Sequence, residues 1–274
     1  MRLQGKRVLM TGATGGIGHH LALLLAAEGA ELALVDVDAQ RLKTFTQAVA
    51  AAGGKALEIV ADFNHAHAAQ GVADAALQHM GGIDLLINNA GVMDFIAFEQ
   101  QSPERIAQMV QINLTVPMQL TRAVLPDMQQ RDSGQIVNIG SIFGSVGFPH
   151  YASYCATKFA MRGFSQALRR ELADSALKVT YIAPRAVKTP LNDAATRQML
   201  QAARITMDEP QVVAAKILQA ILAQREEVYI GQPESFFAWL NGVLPQAVSQ
   251  GLRKQARLAR PFALRKFPES EIKP

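Results

Sequence analysis

Short runs of aliphatic residues alternate with longer stretches rich in alanine and leucine over the first two-thirds of the chain. The apolar residues of the short runs are consecutive, which is typical of strands buried on both faces. The predicted strands are Arg7–Thr11, Glu31–Val35, Lys55–Val60, Ile83–Ile87, Gln135–Ile139, Lys178–Ile182 and Glu227–Ile230. Helical patterns lie between them, near Gly16–Glu28, Ala39–Ala51, His65–Met80, Pro103–Gln129, Tyr151–Ala173 and Glu209–Ala223.

This alternation predicts an α/β protein with a doubly wound parallel sheet of the Rossmann type and right-handed crossovers. No linker rich in Pro, Gly or Ser occurs before residue 231, so a single domain is predicted for residues 1–231. A helical, basic C-terminal extension is predicted for residues 232–274. Its apolar residues recur at helical spacing from Phe236 to Val248, with Trp239 among them and an interruption at Pro245.

Composition narrows the class of protein. Of the 274 residues, 49% are hydrophobic and 18% are charged, as in soluble globular proteins. The sequence has no apolar run of the about 18 residues that a membrane-spanning helix needs, and its first residues lack the pattern of a secretory signal. Cys155 is the single cysteine, and the histidines lack the spacing of zinc ligands. We therefore expect a cytoplasmic protein without a metal site.

The net charge of +4 comes from the end of the chain. Residues 251–274 contain seven basic residues and two acidic ones, whereas the remainder has 20 basic and 21 acidic residues. A main domain that is close to neutral argues against nucleic-acid binding. The basic residues of the last segment are Arg253, Lys254, Arg257, Arg260, Arg265, Lys266 and Lys273.

A glycine-rich turn, Thr11 to Gly18, joins the first predicted strand to the first predicted helix. Gly12 permits the tight turn, Gly16 lets the backbone approach a pyrophosphate, and Gly18 allows the helix to pack closely on the strand. The free amides at the start of that helix then face the phosphates. The strand before the turn and the helix after it are the context that dinucleotide binding requires.

The end of the second predicted strand favours NAD over NADP. Asp36 stands 24 residues after Gly12, where a carboxylate can accept both hydroxyls of the adenosine ribose and repel a 2′-phosphate. Gly15 and Val37 occupy positions at which an enzyme that binds the 2′-phosphate would gain from Arg or Lys. Asp38 is predicted to cap the next helix. For Asp62 two interpretations stay open: a contact to the adenine amino group, or an aspartate that starts a loop.

Tyr154 and Lys158 lie four residues apart in a predicted helix and therefore project from the same face. A phenol has an unperturbed pKa of about 10, which is too high for efficient proton transfer at neutral pH. A neighbouring ammonium favours the phenolate, so Lys158 is expected to lower the pKa of Tyr154 towards the working range. Tyr151 is the nearest rival phenol, but Cys155 stands four residues after it. We expect Tyr151 to be pocket wall.

With these motifs on one chain, the sequence resembles the classical short-chain dehydrogenase/reductase family over roughly residues 5–231. The segment from Thr11 to Gly18 is similar to the family's cofactor loop. The run Asn88-Asn89-Ala90-Gly91 looks like its strand-stabilising motif beside the cofactor. The residues that match the family's catalytic set are Asn113, Ser141, Tyr154 and Lys158.

The resemblance implies hydride transfer between NAD and a secondary alcohol or ketone, in a homodimer or homotetramer built on the long fourth and fifth helices. Tyr154 would act as general base or acid, and Ser141 would hold the substrate oxygen. Asn113 would keep an ordered water in a proton relay from Lys158, which would also bind the nicotinamide ribose. The predicted cofactor-binding residues are Gly12, Thr14, Gly16, Ile17, Gly18, Asp36, Asp62, Asn89, Ala90, Gly91, Tyr154, Lys158, Pro184, Val187 and Thr189.

One position departs from the family pattern. After the sixth strand the family usually carries Pro-Gly, whereas this chain has Pro184-Arg185. Arg185 is expected to point to solvent, the alternatives being contact with a substrate carboxylate or a cofactor phosphate. Val187 and Thr189 still occupy the positions that would meet the carboxamide and the phosphate.

The substrate is expected beyond the carboxyl ends of the strands. The predicted walls are Met93, Phe95, Ile142, Phe143, Phe148, His150 and the segment Leu191–Met207, which is predicted to form one or two short helices as a mobile lid. Because these residues are mostly apolar, the preferred substrate is a medium or large hydrophobic alcohol or ketone. The alternatives are a 3-oxoacyl-thioester reductase and a non-catalytic dinucleotide-sensing regulator.

The extension allows two interpretations. Its apolar stripe beside basic residues is typical of helices that lie on anionic membranes. The preferred interpretation is that it packs over the substrate mouth or on a neighbouring subunit, with peripheral membrane contact as the alternative.

Overall fold

The computed structural model describes residues 2–264 and contains one sheet of seven parallel strands. Their order across the sheet is β3-β2-β1-β4-β5-β6-β7, so the predicted doubly wound α/β fold is confirmed. The strands are β1 Arg7–Thr11, β2 Glu31–Asp36, β3 Lys55–Val60, β4 Leu85–Asn88, β5 Gln135–Ile139, β6 Lys178–Pro184 and β7 Glu227–Ile230.

Helices cover both faces of this sheet. They are α1 Gly16–Ala27, α2 Ala39–Ala51, α3 Ala68–Met80, α4 Pro103–Val110, α5 Val116–Gln130, α6 Ala152–Glu171, α7 Ala194–Ala202, α8 Pro210–Leu222, α9 Glu234–Val243 and α10 Pro245–Ala263. The prediction that began α3 at His65 was wrong by three residues, because His67 adopts a left-handed backbone with φ of 66° just before the helix.

The core forms because successive residues of each strand point to opposite faces. Val8 and Met10 of β1 pack with the helices on one face, α1, α2 and α8, whereas Leu9 packs with α3, α5 and α6 on the other. All three side chains are fully buried. This two-sided burial explains why the strands appear in the sequence as unbroken apolar runs.

The predicted single helix Pro103–Gln129 contains a turn of π-helix. The structure places Gln111–Thr115 in this wider turn, between α4 and α5. A π turn inserts an extra residue into an α-helix and is frequent at functional sites. Here the turn carries Asn113, which is buried.

The extension contains two helices, α9 and α10, separated at Leu244, and Pro245 is the first residue of α10. Helix α10 packs against α7 and α9. The predicted lid segment Leu191–Met207 contains one helix, α7. Within residues 2–264, every helix is too short or too polar to traverse a lipid bilayer. Three basic residues of the predicted extension, Arg265, Lys266 and Lys273, lie outside the described residues.

Candidate active site

The glycine loop lies at the carboxyl end of β1, beside the point where the strand order reverses between β1 and β4. Gly12 has a φ of 66°, and a Cβ atom there would lie 2.9 Å from the Cα of Ala90. At Gly18 a Cβ would overlap the carbonyl oxygen of Gly12. Both glycines are therefore required by the backbone, as close packing between loop, strand and helix predicts. Gly16 lies against the segment between β6 and α7, because a Cβ there would lie 2.6 Å from the Cγ2 of Thr189.

Asn89 fastens this loop to the end of β4. Its Nδ2 donates to the carbonyl oxygens of Thr11 at 3.1 Å and Gly12 at 2.9 Å. In return, the Thr11 hydroxyl accepts from the amides of Asn89 at 3.1 Å and Ala90 at 3.0 Å. Because four hydrogen bonds join the two segments, the shape of the loop depends on Asn89 as much as on its glycines.

Asp36 ends β2 and holds the middle of the same loop. Its Oδ2 accepts from the amide and the hydroxyl of Thr14, both at 2.8 Å, and its Oδ1 accepts from the amide of Val37 at 2.9 Å. Arg41 of α2 donates to the carbonyl oxygen of Thr14 at 2.9 Å. The sequence did not indicate this arginine, which places a guanidinium beside the Asp36 region. Asp38 caps α2 as predicted, by accepting from the amide of Arg41 at 3.0 Å.

The carboxylate of Asp62 lies in the loop that follows β3. Its Oδ1 accepts from the backbone amide of Asn64 at 2.9 Å and from the side-chain amide of Asn64 at 2.7 Å. The interpretation as a loop-starting aspartate accounts for these bonds. A contact of Asp62 to adenine stays a prediction.

Three of the four predicted catalytic side chains meet where β5 ends and α6 begins. Ser141 follows β5, and its hydroxyl lies within reach of a hydrogen bond to the Tyr154 phenol. Lys158 lies one turn after Tyr154, with its Nζ 5.6 Å from the centre of the phenol ring and donating to the carbonyl oxygen of Ile139 at 3.1 Å. All three side chains are buried.

Burial perturbs the proton affinities of this group. It raises the pKa of Tyr154 to about 12, although the Ser141 hydrogen bond acts in the opposite direction. It also lowers the pKa of Lys158 to about 8. The expectation that Tyr154 has a lowered pKa was therefore wrong for the protein alone, because desolvation of a fully buried phenol outweighs the hydrogen bond.

Asn113 reaches this group from the π turn. Its Oδ1 accepts from the amide of Val92 and its Nδ2 donates to the carbonyl oxygen of Val92, each at 2.8 Å. Gly91 fills the gap, since a Cβ there would lie 3.3 Å from the Asn113 Oδ1 and 3.7 Å from the Lys158 Nζ. The segment after β4 thus lies between the asparagine and the lysine.

A cavity of about 730 Å³ opens above Ser141 and Tyr154. Of the predicted walls, Met93, Ile142, Phe143 and Phe148 line it, together with part of the segment Leu191–Met207. Predicted cofactor residues that border it are Ile17, Asn89, Gly91, Tyr154, Lys158, Pro184, Val187 and Thr189. The other predicted cofactor residues lie outside its lining: Gly12, Thr14, Gly16, Gly18, Asp36, Asp62 and Ala90.

Three aromatic predictions at the cavity were wrong. Phe95 and Tyr151 lie behind the wall, where their rings pack with centroids 5.1 Å apart, and both are buried. His150 is also absent from the lining, and its ring meets the Phe95 ring edge-on. The Tyr151 phenol bonds instead to Thr196 of α7, and burial raises its pKa. Among residues 2–264, no group of three or more His, Cys, Asp or Glu side chains is placed to hold a metal ion.

Comparison with known proteins decides the family. The sequence model of the short chain dehydrogenase family matches residues 6–200. The chain belongs to the short-chain dehydrogenase/reductase family. It is 34% identical over 231 residues to the ketoacyl reductase HetN of Nostoc sp. strain PCC 7120. The aligned residues cover 84% of this chain and 80% of that protein.

Solved structures of short-chain dehydrogenases agree with this fold. A short-chain dehydrogenase/reductase from Burkholderia phymatum in complex with NAD superposes with a TM-score of 0.83 and 25% identity, over 90% of this chain and 96% of that one. A short-chain dehydrogenase from Burkholderia cenocepacia J2315 in complex with NADP has a TM-score of 0.77 and 25% identity, over 86% and 100% of the two chains. The protein is therefore an oxidoreductase by family.

Arg185, the residue that departs from the family's Pro-Gly pattern, is held in an ion-pair cluster. Its guanidinium bonds to Asp208 at 2.8 and 3.0 Å and to Glu234 at 3.0 Å, and it also donates to the carbonyl oxygen of Gln232 at 2.6 Å. The side chain is 13% exposed, so the expectation that it points to solvent was wrong. It joins Asp208, directly after the lid segment, to Glu234 at the start of α9. Both carboxylates raise the pKa of Arg185 and so keep its guanidinium charged.

Removing this side chain is expected to loosen the extension. Arg185→Ala should lower the free energy of unfolding by about 1–3 kcal/mol, because two partly buried carboxylates lose a charged hydrogen-bond partner. Urea denaturation measures this loss, and limited proteolysis should cut residues 232–264 earlier in the variant. Arg131→Ala is the matched control, since Arg131 pairs with Asp84 and Asp127. Equal protection of the extension in both variants would contradict the prediction.

The sequence also gave no indication of Tyr181, a fully buried residue of β6. Its hydroxyl donates to the carbonyl oxygen of Ser141 at 3.1 Å and lies 3.4 Å from the Ser141 amide, which donates to it. Gly140 and Gly144 pack against this ring, and a Cβ at either would overlap it. Tyr181 thus positions the backbone of the predicted substrate-orienting serine.

Tyr181→Phe is expected to lower kcat by about tenfold with KM little changed, because the loss of a buried hydrogen bond costs about 1–1.5 kcal/mol. Ser141 would then hold the Tyr154 phenol less well, so the pH of half-maximal turnover should rise in the direction in which Tyr154 accepts a proton. Steady-state kinetics across pH measures both effects. Tyr229→Phe is the control, since the Tyr229 hydroxyl bonds to Ser145 and Glu227 and not to Ser141. An unshifted pH profile in Tyr181→Phe would argue against positioning.

Proposed function

We propose that the protein is an NAD-dependent oxidoreductase that transfers hydride between nicotinamide and a medium or large hydrophobic secondary alcohol or ketone. The observation that carries this proposal is the buried, hydrogen-bonded pair of Ser141 and Tyr154 below an apolar cavity that also borders the glycine loop. Family membership supports the oxidoreductase class. The substrate and cofactor preference rest on the residues below.

The loop and its neighbours fit a dinucleotide. Gly12 and Gly18 bring β1, α1 and the end of β4 into close contact, and no side chain among residues 2–264 caps the first amides of α1. These amides are the ones that bind phosphate in this type of fold. The two structural relatives described above hold NAD and NADP, respectively. The carboxylate of Asp36 favours NAD, because it would lie against a 2′-phosphate of like charge.

In this proposal each of the four catalytic residues has its own role. The bound nicotinamide supplies or accepts the hydride. Tyr154 takes the proton of the substrate hydroxyl during oxidation and returns it during reduction. Ser141 holds the substrate oxygen beside the phenol. Lys158 holds positive charge near the phenol, and Asn113 positions the segment Gly91–Val92 against it.

The cavity lining supports an apolar substrate. Met93, Phe143 and Phe148 face the catalytic pair from one side, and the two phenylalanine rings stack with centroids 5.2 Å apart. Met199 and Leu200 of α7 close the cavity from the lid side. The volume of about 730 Å³ is shared between substrate and the nicotinamide end of the cofactor. It therefore suits a ring-sized or branched alcohol more than a long one.

A second candidate is a 3-oxoacyl-thioester reductase. The similarity to the ketoacyl reductase from Nostoc favours it. Asp36 argues against it to the extent that such reductases use NADP. A non-catalytic sensor would not need the hydrogen bond between Ser141 and Tyr154. A homodimer or homotetramer stays a prediction, supported by exposed Val110, Met118 and Phe159 on the long helices α4, α5 and α6.

The decisive experiment is reduction of NAD⁺ and NADP⁺ with secondary alcohols graded from small aliphatic to steroidal. NAD-specific turnover that rises with apolar size up to the capacity of the cavity would support the proposal. Turnover of 3-oxoacyl thioesters alone, with NADPH, would establish the second candidate. Tight dinucleotide binding without turnover on either panel would favour the sensor.

A further inference from the structure

The outer face of α9 exposes a stripe of large apolar side chains. Phe236, Trp239 and Val243 recur at the i, i+3 and i+7 spacing of one helical face and are 51%, 62% and 58% exposed. The rings of Phe236 and Trp239 lie with centroids 5.8 Å apart. Leu244, at the turn into α10, is 55% exposed. Apolar side chains clustered in this way mark interaction sites, whereas scattered ones do not.

The next helix adds positive charge. Arg253, Lys254, Arg257 and Arg260 of α10 are exposed, and no ion pair joins any of them to an acidic side chain within residues 2–264. The sequence between residues 235 and 264 contains four basic residues and no acidic one. The apolar stripe of α10 itself is used internally, because Val248, Ala259 and Ala263 are buried. Of the apolar stripe predicted along the extension, the exposed part therefore lies on α9 and at Leu244.

The same two helices form part of the cavity wall. Phe237 and Leu240 of α9 line the cavity beside the exposed stripe, and Phe237 is itself 45% exposed. Val248 and Leu252 of α10 line the cavity next to them. The extension thus forms part of the cavity wall and also exposes the aromatic side chains of α9 and the cations of α10. The two interpretations that the sequence left open therefore do not exclude each other, because packing over the cavity leaves these side chains available for a second contact.

We propose that this outer surface, which we call the α9–α10 face, binds the anionic surface of a lipid bilayer. The aromatic and aliphatic side chains of α9 enter the interface between headgroups and acyl chains, and the cations of α10 lie against the headgroups. The cavity then opens close to the membrane, so that an apolar substrate reaches Tyr154 without crossing bulk water. The binding itself is independent of the proposed reaction.

Charge and side-chain chemistry favour this occupant over two others. A second copy would bring its own unpaired cations against the same four in a two-fold contact, and like charges repel. Nucleic acid would pair with the cations but offers no apolar phase for Val243 and Leu244. A bilayer with anionic headgroups satisfies both halves of the face.

Trp239 is the single tryptophan of the chain, so its fluorescence reports directly on this face. The full-length protein is titrated with vesicles of phosphatidylcholine containing increasing phosphatidylglycerol, and co-sedimentation is measured in parallel. We expect a blue shift of the Trp239 emission and quenching by lipids brominated in the acyl chains, both growing with the anionic fraction. An emission spectrum that no vesicle composition changes would overturn the proposal.

Two variants separate the charged half from the apolar half, and each has a matched control. Arg253→Gln/Arg257→Gln/Arg260→Gln should weaken vesicle binding on the order of 100-fold, because each cation near an anionic surface contributes roughly fivefold. Arg170→Gln/Lys178→Gln/Arg225→Gln removes the same charge from exposed positions elsewhere and should retain most of the binding. Phe236→Ser/Val243→Ser should abolish acyl-chain quenching, whereas Leu23→Ser/Val212→Ser on α1 and α8 should not.

The other occupants give different results. A blue shift that depends on protein concentration without lipid, together with a rise in mass in light scattering that Phe236→Ser/Val243→Ser abolishes, would mean that a second copy covers the face. Binding to duplex DNA as tight as to anionic vesicles, and lost in the same charge variant, would mean nucleic acid. Either result overturns the proposal, and so do equal losses in the charge variant and its control. Dinucleotide binding by each variant verifies that the fold is intact.

Discussion

Replacing Tyr154 by phenylalanine is expected to lower kcat for alcohol oxidation by about 10²- to 10⁴-fold, the range that a positioned general base contributes. Dinucleotide affinity should be nearly unchanged, because the phenol acts on the substrate proton. The side chain is buried and its ring packs edge-on against Phe143, with centroids 6.3 Å apart, so phenylalanine keeps the same packing. Steady-state kinetics and calorimetric NAD titration measure the two quantities.

The pKa values explain why the hydroxyl matters so much. With a pKa of about 12, Tyr154 is almost entirely protonated at neutral pH, and Lys158, with a pKa of about 8, is only partly kept as a cation at higher pH. The Lys158 Nζ lies 5.6 Å from the centre of the phenol ring, so its positive charge is close to the phenolate that forms when Tyr154 loses its proton. Oxidation should therefore accelerate with rising pH in the native enzyme and lose this dependence in Tyr154→Phe.

Tyr151→Phe is the control for this prediction. Tyr151 is the neighbouring phenol in the same cluster, and it bonds to Thr196 and not to Ser141. Its removal should leave most of the turnover. If Tyr151→Phe were inactive and Tyr154→Phe active, the roles of the two phenols would have to be exchanged. Activity retained in both would exclude these two phenols as the base.

The sheet and most helices could be predicted from the sequence because each strand is buried on both faces. The apolar runs around Leu9 and around Leu86 are too hydrophobic for any place except between two layers of helices. The glycine loop was also predictable, since Gly12 and Gly18 are imposed by backbone contacts that no other residue tolerates. In both cases the residue types that the local structure requires are also those that the whole fold requires.

The errors have a different origin, because they concern contacts between segments distant in the sequence. Arg185 looked like a solvent-facing residue until Asp208 and Glu234 were seen around it, 23 and 49 residues further along the chain. Tyr181 lies in a strand as an ordinary buried aromatic, and only its position against Ser141 distinguishes it. Phe95 and His150 follow site residues closely, but the chain turns them behind the cavity wall. Periodicity carries no information on such contacts.

Asp36→Asn is expected to reduce the preference for NAD over NADP by about 10²-fold or more, measured as the ratio of the two kcat/KM values. A like charge against a bound group costs several kcal/mol, and each 1.4 kcal/mol is about a factor of ten. Asparagine is nearly the same size, and its Oδ1 can still accept the 2.8 Å hydrogen bonds from Thr14. Its Nδ2 can no longer accept from the Val37 amide, but that bond is exposed, so the loop should keep its shape. Thermal unfolding without cofactor verifies that the loop is intact.

Arg41 strengthens this expectation. Its guanidinium donates to the carbonyl oxygen of Thr14, so removal of the Asp36 charge leaves this cation beside the loop. Asp38→Asn is the matched control, because it removes one negative charge two residues away while asparagine still caps α2. Its cofactor ratio should stay close to that of the native enzyme. Since repulsion of a wrong ligand is itself a source of specificity, an unchanged ratio in Asp36→Asn would mean that NAD preference does not come from this carboxylate.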